Sequence, residues 1–185
     1  LFTYIGRLSS QKGIHLFQQT LDDFLSHADI KLFLMGSGNS YYEDYFHYLL
    51  NKYPDKVRIY VGFNEQVAHL AYAASDFFMM PSVYEPCGLG QLIAMRYGAL
   101  PIVHETGGLK DTVTPYNQYT LEGSGFSFAN YDTMVFKDLL FDISNLYITD
   151  QAIINNLKTQ SMKKSFHLDA MANHYVALYK KMLEA

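Results

Sequence analysis

Two rhythms of hydrophobic and polar positions alternate along the chain. Short β-rich runs at residues 2–5, 30–35, 57–61, 77–80, 99–103 and, with a fainter pattern, 125–128 read as strands. Between the first two, Ile14, Phe17, Leu21 and Phe24/Leu25 recur at helical spacing, while Gln18, Asp22 and Asp23 fall elsewhere, which predicts an amphipathic crossover helix over 14–25. Helices follow over 41–52, 65–74 and 88–97, with a short one at 109–113, and beyond residue 130 the pattern is helical throughout, over 131–146, 150–165 and 168–183. Strands alternating with helices predict an α/β fold, a doubly wound Rossmann-like parallel sheet with helices on both faces. No repeat, low-complexity tract or linker divides the chain, so residues 1–185 are read as a single domain that includes the C-terminal helices. The first strand opens with no polar segment or initiating methionine before it, which predicts a truncated chain.

In an open parallel sheet, ligands bind outside the carboxyl ends of the strands, near the point where strand order reverses, so the loops that follow strands are the ones to read for chemistry. The first, Gly6 to Gly13, carries Arg7 and Lys12 between a strand end and a helix start. Two cations so placed can share one diphosphate, or they are ordinary surface charges; the loop lacks the GxxxxGK(S/T) arrangement of a Walker-type phosphate loop. Gly36-Ser37-Gly38-Asn39 lacks the third glycine of a dinucleotide fingerprint and reads as a tight turn. Phe63, after the third strand, either stacks on a planar base or packs against the sheet end. After the fourth strand, Glu85-Pro86-Cys87-Gly88-Leu89-Gly90-Gln91 puts a carboxylate, a thiol and two glycines just before a helix. Free N–H groups at that helix start would attract phosphate oxygens, with Glu85 accepting from hydroxyls. The bland alternative is a Glu-Pro turn with Cys87 as a small buried hydrophobe. Gly107 and Gly108 follow the fifth strand in another strand-to-helix loop, extending the same pocket.

Bulk properties narrow the ligand. With a net charge of -4 the chain lacks the Lys/Arg excess of a polyanion binder, so no nucleic-acid partner is expected and any phosphate is held locally. Cys87 is the lone cysteine, which excludes an intrachain disulfide and suits a reducing compartment. No run approaches the roughly 20 apolar residues that span a bilayer, so no membrane partner is expected. There is no DxD triplet to hold a divalent cation, no GxSxG elbow, and the seven histidines show no HExxH spacing, so the site is read as needing no metal and no cofactor.

Taken together, Arg7-Leu8-Ser9-Ser10-Gln11-Lys12-Gly13, Pro81-Ser82 with Glu85-Pro86-Cys87-Gly88-Leu89, Gln91-Leu92, Ala94-Met95-Arg96-Tyr97-Gly98, and Thr106-Gly107-Gly108-Leu109 with Asp111-Thr112-Val113 resemble the C-terminal, nucleotide-sugar-binding domain of bacterial glycogen synthases and plant starch synthases. The resemblance covers nearly the whole chain. It implies one half of a GT-B glycosyltransferase, in which two Rossmann-like domains face each other across a cleft and the C-terminal one binds ADP-glucose. The activity implied is transfer of glucose, with retention, to the non-reducing end of an α-1,4-glucan. Arg7 and Lys12 would contact the diphosphate and neutralise the departing ADP; Phe63 stands where a tyrosine stacks on adenine; Glu85 would bind hydroxyls of the donor glucose; and the N–H groups of Leu89 and Gly90 would hold phosphate. By the same resemblance attack occurs on the front face through an oxocarbenium-like state, with a histidine and a lysine supplied by an N-terminal acceptor domain outside this chain. The fragment is therefore expected to be inactive alone, and to meet the glucan only through that missing domain.

The chain also departs from the family pattern. Gly90 stands where a threonine is typical, Val83 where an arginine is, His104-Glu105 where two basic residues are common, and Ser165-Phe166-His167 in place of Phe-Ser-Trp. In the last helix Met171, Tyr175, Leu178, Tyr179 and Met182 form a near-helical apolar series that either packs on its own domain or is left exposed and favours a homo-oligomer. Two other readings stand beside the glycogen synthase one: a GT-B enzyme using UDP-glucose, and a stand-alone nucleotide- or glycan-binding module. Bacterial cytoplasm is the expected location, ahead of a plastid.

Overall fold

The computed structural model describes residues 1–166 and 168–184. Six strands, β1 (Phe2–Ile5), β2 (Leu32–Gly36), β3 (Val57–Val61), β4 (Phe77–Met80), β5 (Leu100–His104) and β6 (Phe126–Phe128), form one parallel sheet in the order β3-β2-β1-β4-β5-β6. The helices are α1 (Ile14–His27), α2 (Ser40–Lys52), α3 (Glu65–Ala74), α4 (Gly90–Tyr97), α5 (Gly107–Thr112), α6 (Thr133–Thr149), α7 (Gln151–Lys163) and α8 (Leu168–Leu183). The expected doubly wound α/β fold is what the chain adopts.

The central strands are covered on both faces, which is why they read as continuous apolar runs. Phe2, Tyr4, Phe77 and Met79 point into a core filled by Phe17, Phe24 and Phe136 from α1 and α6. Phe78, the neighbour of Phe77 and so on the other face, packs with Tyr72 of α3 and Ala94 of α4. Aromatic rings knit the first core, with Phe2 4.8 Å from Phe77 and 5.2 Å from Phe24, the latter edge-on. Thr3, fully buried between the faces, accepts a hydrogen bond from the Ser75 hydroxyl at 2.5 Å, so its polar atom is satisfied.

Element ends moved where local backbone chemistry intervened. The second strand starts at Leu32 because the Ile30 N–H turns back to the Ala28 carbonyl at 3.0 Å. Helix α4 starts at Gly90, two residues late, because Gly88 takes the left-handed φ of 73°. Helix α6 runs on to Thr149, and Asp150 then caps α7 by accepting from the Ile153 N–H at 3.1 Å. A 3₁₀ turn over Ser10–Lys12, not expected from the pattern, lies inside the first loop.

On α8, Tyr175, Leu178, Tyr179 and Met182 are all exposed, so the helix does not pack wholly on its own domain. His167 and the side chain of Met171, both part of the sequence reading, lie outside what is described. Among the described residues no helix is long and apolar enough to cross a membrane.

Gly13 joins the fold to the loops above it. It ends the 3₁₀ turn and begins α1 in the left-handed region at φ 76°, and a Cβ there would lie 1.8 Å from the Pro81 carbonyl oxygen and 2.8 Å from the Tyr131 hydroxyl. Both obstacles are fixed, one by backbone and one by a ring that donates to that same carbonyl at 3.1 Å. Gly13→Ala is expected to cost about 2–4 kcal/mol, from left-handed strain plus steric overlap. Urea denaturation followed by circular dichroism measures it, and an unchanged midpoint would mean that the Pro81 loop yields.

Candidate functional site

In the order β3-β2-β1-β4-β5-β6 the winding reverses between β1 and β4, so the crevice of the fold opens above their carboxyl ends. The loops that leave these two neighbours meet there. The Val83 N–H donates to the Gln11 carbonyl at 2.9 Å, and the Lys12 ammonium donates to Oε2 of Glu85. The same oxygen accepts from the Ser82 hydroxyl at 3.2 Å. Only 19% of the Lys12 side chain and 11% of that of Glu85 remain exposed, so the pair compensates two charges held largely away from solvent. Glu85 Oε1 has no protein partner among the described residues.

Arg7 is exposed, and among the described residues its guanidinium forms no ion pair. Its backbone is fixed instead: the Arg7 carbonyl accepts from the Tyr4 hydroxyl at 2.7 Å. Burial pushes the Tyr4 phenol pKa far up and the Glu85 carboxylate adds to this, with Arg7 opposing, so Tyr4 stays a neutral donor. Arg7 borders a recess of about 340 Å³ shared with Ser9, Ser37, Asn39 and Tyr42. The glycines of the second loop admit this arrangement, since a Cβ on Gly36 would sit 1.9 Å from the Gly6 carbonyl and one on Gly38 2.3 Å from that of Leu8. Instead of a tight turn, that loop runs alongside the first one, with Gly38 bridging Leu8 in parallel through the Leu8 N–H to Ser37 carbonyl and Asn39 N–H to Leu8 carbonyl bonds, both 3.0 Å.

Beside Glu85, the N-terminus of α4 points into the same crevice region. Leu89 is its N-cap, 68% exposed, and no side chain caps the helix start, so the first N–H groups are left for solvent or a ligand. Gly90 packs close beneath, where a Cβ would meet the Phe78 ring at 3.0 Å and the Met80 sulfur at 3.3 Å, so a side chain here requires those neighbours to shift by a few tenths of an ångström. Cys87 is exposed, contrary to the buried-hydrophobe alternative.

Three sequence candidates support the loop from inside. Gln91 is fully buried, and its amide donates to the Cys87 carbonyl, the Gly88 carbonyl and the Thr112 hydroxyl at 3.0, 3.0 and 3.1 Å. Gly107 and Gly108 lie against the backbone of residues 85–87: a Cβ would come 2.3 Å from the Glu85 carbonyl and 2.1 Å from that of Cys87, respectively. The Gly108 N–H donates to the Glu85 carbonyl at 3.0 Å, so it is already engaged. These residues shape the pocket wall.

Phe63 stands at the end of β3, two strands from β1 on the same edge of the sheet, and is 72% exposed. It does not pack against the sheet end. The preceding Gly62 takes φ 115° and ties its N–H to the Gly36 carbonyl at 2.9 Å, which lifts the ring clear.

Several residues of the site escaped the loop-by-loop reading. Tyr4 anchors Arg7 from within β1, and its only signal was a phenol in a short buried strand. His104 Nδ1 lies 2.8 Å from the Ser82 carbonyl, with its ring 4.7 Å from that of Tyr131, so the His104-Glu105 departure braces the Pro81-Ser82 turn. Tyr131 comes from 50 residues away, with its phenol pKa raised by burial and then by Tyr42, and nothing in the sequence joins it to Pro81. Among the described residues no group of three or more His, Cys, Asp or Glu side chains clusters as a metal site.

A family model described as "Glycosyl transferases group 1" matches residues 1–160. The glycogen synthase of Acholeplasma laidlawii is 55% identical over 183 residues, covering 99% of this chain and 38% of that protein. That of Clostridium kluyveri is 48% identical over 181 residues, covering 97% and 37%. The catalytic domain of starch synthase IV from Arabidopsis thaliana, solved bound to ADP and acarbose, superposes with a TM-score of 0.86 at 33% identity, covering 100% of this chain and 38% of that one. The chain thus spans a little over a third of the length of these curated relatives, and its fold is that of a GT-B glycosyltransferase domain. It belongs to the group 1 glycosyl transferases, with nearly all of its length similar to part of the glycogen and starch synthases.

Proposed function

We propose that this chain is the donor-binding part of a retaining glycogen or starch synthase, and that it holds ADP-glucose in the crevice above β1 and β4. The observation that carries the reading is the convergence of Lys12 and Glu85 beside the uncapped start of α4. Diphosphate oxygens need cations and N–H donors, a sugar needs a hydroxyl acceptor, and all three lie on adjoining loops.

The ion pair leaves Lys12 with capacity for a ligand. An ammonium carries three protons, so Lys12 can keep Glu85 while donating to a phosphate oxygen. Arg7, exposed and unpaired among the described residues, adds the second charge without first breaking a bond. Together they stabilise the negative charge that grows on ADP as the glycosidic bond breaks, the role a divalent cation would otherwise fill. The N–H groups of Leu89 and Gly90 serve the phosphate as well, and because they are backbone groups they survive the loss of the threonine typical at position 90. Glu85 Oε1, with no protein partner among the described residues, accepts from glucose hydroxyls, and Phe63 offers an exposed ring to adenine. Glucose then passes to the non-reducing end of an α-1,4-glucan in a complete enzyme located in the cytoplasm. This chain alone binds donor without transferring it.

Calorimetric titration tests the binding. ADP is expected to bind at least about tenfold more tightly than UDP, and equally well with EDTA present; UDP preference would move the reading to a UDP-glucose enzyme, and a metal requirement would remove the cationic role given to Arg7 and Lys12. Lys12→Met is expected to weaken ADP by about tenfold or more, the loss of a charge-assisted hydrogen bond in a water-poor site. Glu85→Gln should instead leave ADP binding within about threefold while abolishing any gain from the glucose moiety; an equal loss for both ligands would place Glu85 on the phosphates instead. Robust glucosyl transfer to glycogen by this chain alone would overturn the division of labour.

A further inference from the structure

A large hollow lies away from the donor loops. It measures about 800 Å³ and sits between the segment that leads into β6 and the outer face of α6. Because the segment precedes β6, while the donor loops follow β1 and β4, the hollow opens toward the opposite end of the sheet. It also lies on the sheet edge, where β6 has no further strand beside it.

The lining dictates its ligand. Tyr116, Tyr119 and the Phe126 ring give aromatic surface, while Gln118, Asn145 and Asp142 give amides and a carboxylate. Among the described residues none of those three polar heads is hydrogen-bonded within the protein. Among the described residues no cation lines the hollow, and the one charge there, Asp142, is negative, which repels nucleotides and phosphosugars. An apolar peptide or lipid would strand the amides and the carboxylate. A neutral polyol with an apolar face satisfies both halves: its C–H face lies on tyrosine, and its hydroxyl pairs meet amide and carboxylate oxygens.

The loop is also held rigid, although its tip is open to solvent. Tyr119 is 87% exposed, yet Asn117 Oδ1 accepts from the Tyr119 and Thr120 N–H groups at 2.9 and 3.3 Å. The Leu121 carbonyl accepts from Asn156 and Gln160 of α7 at 3.1 and 3.0 Å, and Leu121 itself holds a left-handed φ of 59°. Three more bonds close the loop base, Tyr116 N–H to Gly125 carbonyl, Asn117 N–H to Glu122 carbonyl and Gly123 N–H to Gln160 Oε1. A strained turn kept in one shape, with its polar heads unused, fits a surface ordered ahead of its ligand.

We propose that this groove is a second carbohydrate site, which holds a segment of α-1,4-glucan outside the donor crevice; the sugar's identity as a glucan rests on the function proposed above, while its chemistry rests on the groove alone. Holding one part of a long polymer keeps its other ends at high local concentration, so the site would retain the glucan between transfers.

Native electrophoresis of the chain in gels containing glycogen tests this. The wild-type chain is expected to be retarded, and Tyr119→Ala or Asn145→Ala to raise the apparent Kd for glycogen by about tenfold, the scale of losing one stacked ring or a paired hydrogen bond. Both positions are exposed, so thermal unfolding should match the wild type, and calorimetric ADP affinity should stay within about twofold. No retardation of the wild type, equal retardation of both variants, or release by saturating ADP would each overturn the site. Equal retardation by dextran, whose linkage is α-1,6, would overturn its assignment to α-1,4-glucan. Loss of ADP binding alone, with Tyr119-dependent retardation intact, would sink the donor reading and leave this one standing.

Discussion

The structure depends on the contact between the loops that leave β1 and β4. Gly13 meets the Pro81 carbonyl at a distance no side chain permits, the Gln11 carbonyl binds the Val83 N–H, and Lys12 reaches Glu85. Backbone contact sets the spacing, and the ion pair then lies across a gap already fixed. The charges are partly buried, so each needs the other to avoid an uncompensated charge in a poorly solvated place. Such a pair is stable at rest yet open to a ligand that brings its own negative charge and hydroxyl groups.

The wall of the crevice is built on the same principle. Gly107 and Gly108 let α5 approach the backbone of residues 85–87, and Gln91 ties that backbone to Thr112 from below. The Oε1 atom of Gln91 is buried with no partner among the described residues. The amide is turned so that its two donors serve carbonyls, and the cost of the orphan oxygen is accepted where the loop needs support. Residues that look like ligand contacts in a motif thus fix the backbone of the loop instead.

The two ends of the sheet carry different chemistry because parallel strands make them different. At the carboxyl ends the loops enter helices, and helix starts offer N–H groups and positive potential, suited to phosphate. At the opposite end, the segment before β6 turns back on itself, and among the described residues no cation joins its tyrosines and amides in lining the hollow. Surfaces suited to phosphate and to a neutral polyol therefore lie at separate places on the molecule.

The sequence by itself determined the elements, the parallel sheet and the loops worth reading. Apolar runs of strand length separated by helical periods leave few other folds, and Arg7, Lys12 and Glu85 follow strands in loops whose glycines mark close backbone approach. Local pattern also carried the family. It did not distinguish Gln91, Gly107 and Gly108, which brace the wall, from Leu89 and Gly90, which face the crevice, because all five share one motif and differ only in burial. Nor could it join Tyr131 to Pro81 or Tyr4 to the Arg7 carbonyl, or bring Tyr119 to Asp142 and Asn145. Tyr131 meets Pro81 across 50 residues of chain, Tyr119 shares a hollow with residues of α6, and Tyr4 is hidden in the core, so these relations arise only on folding and leave no periodicity to read.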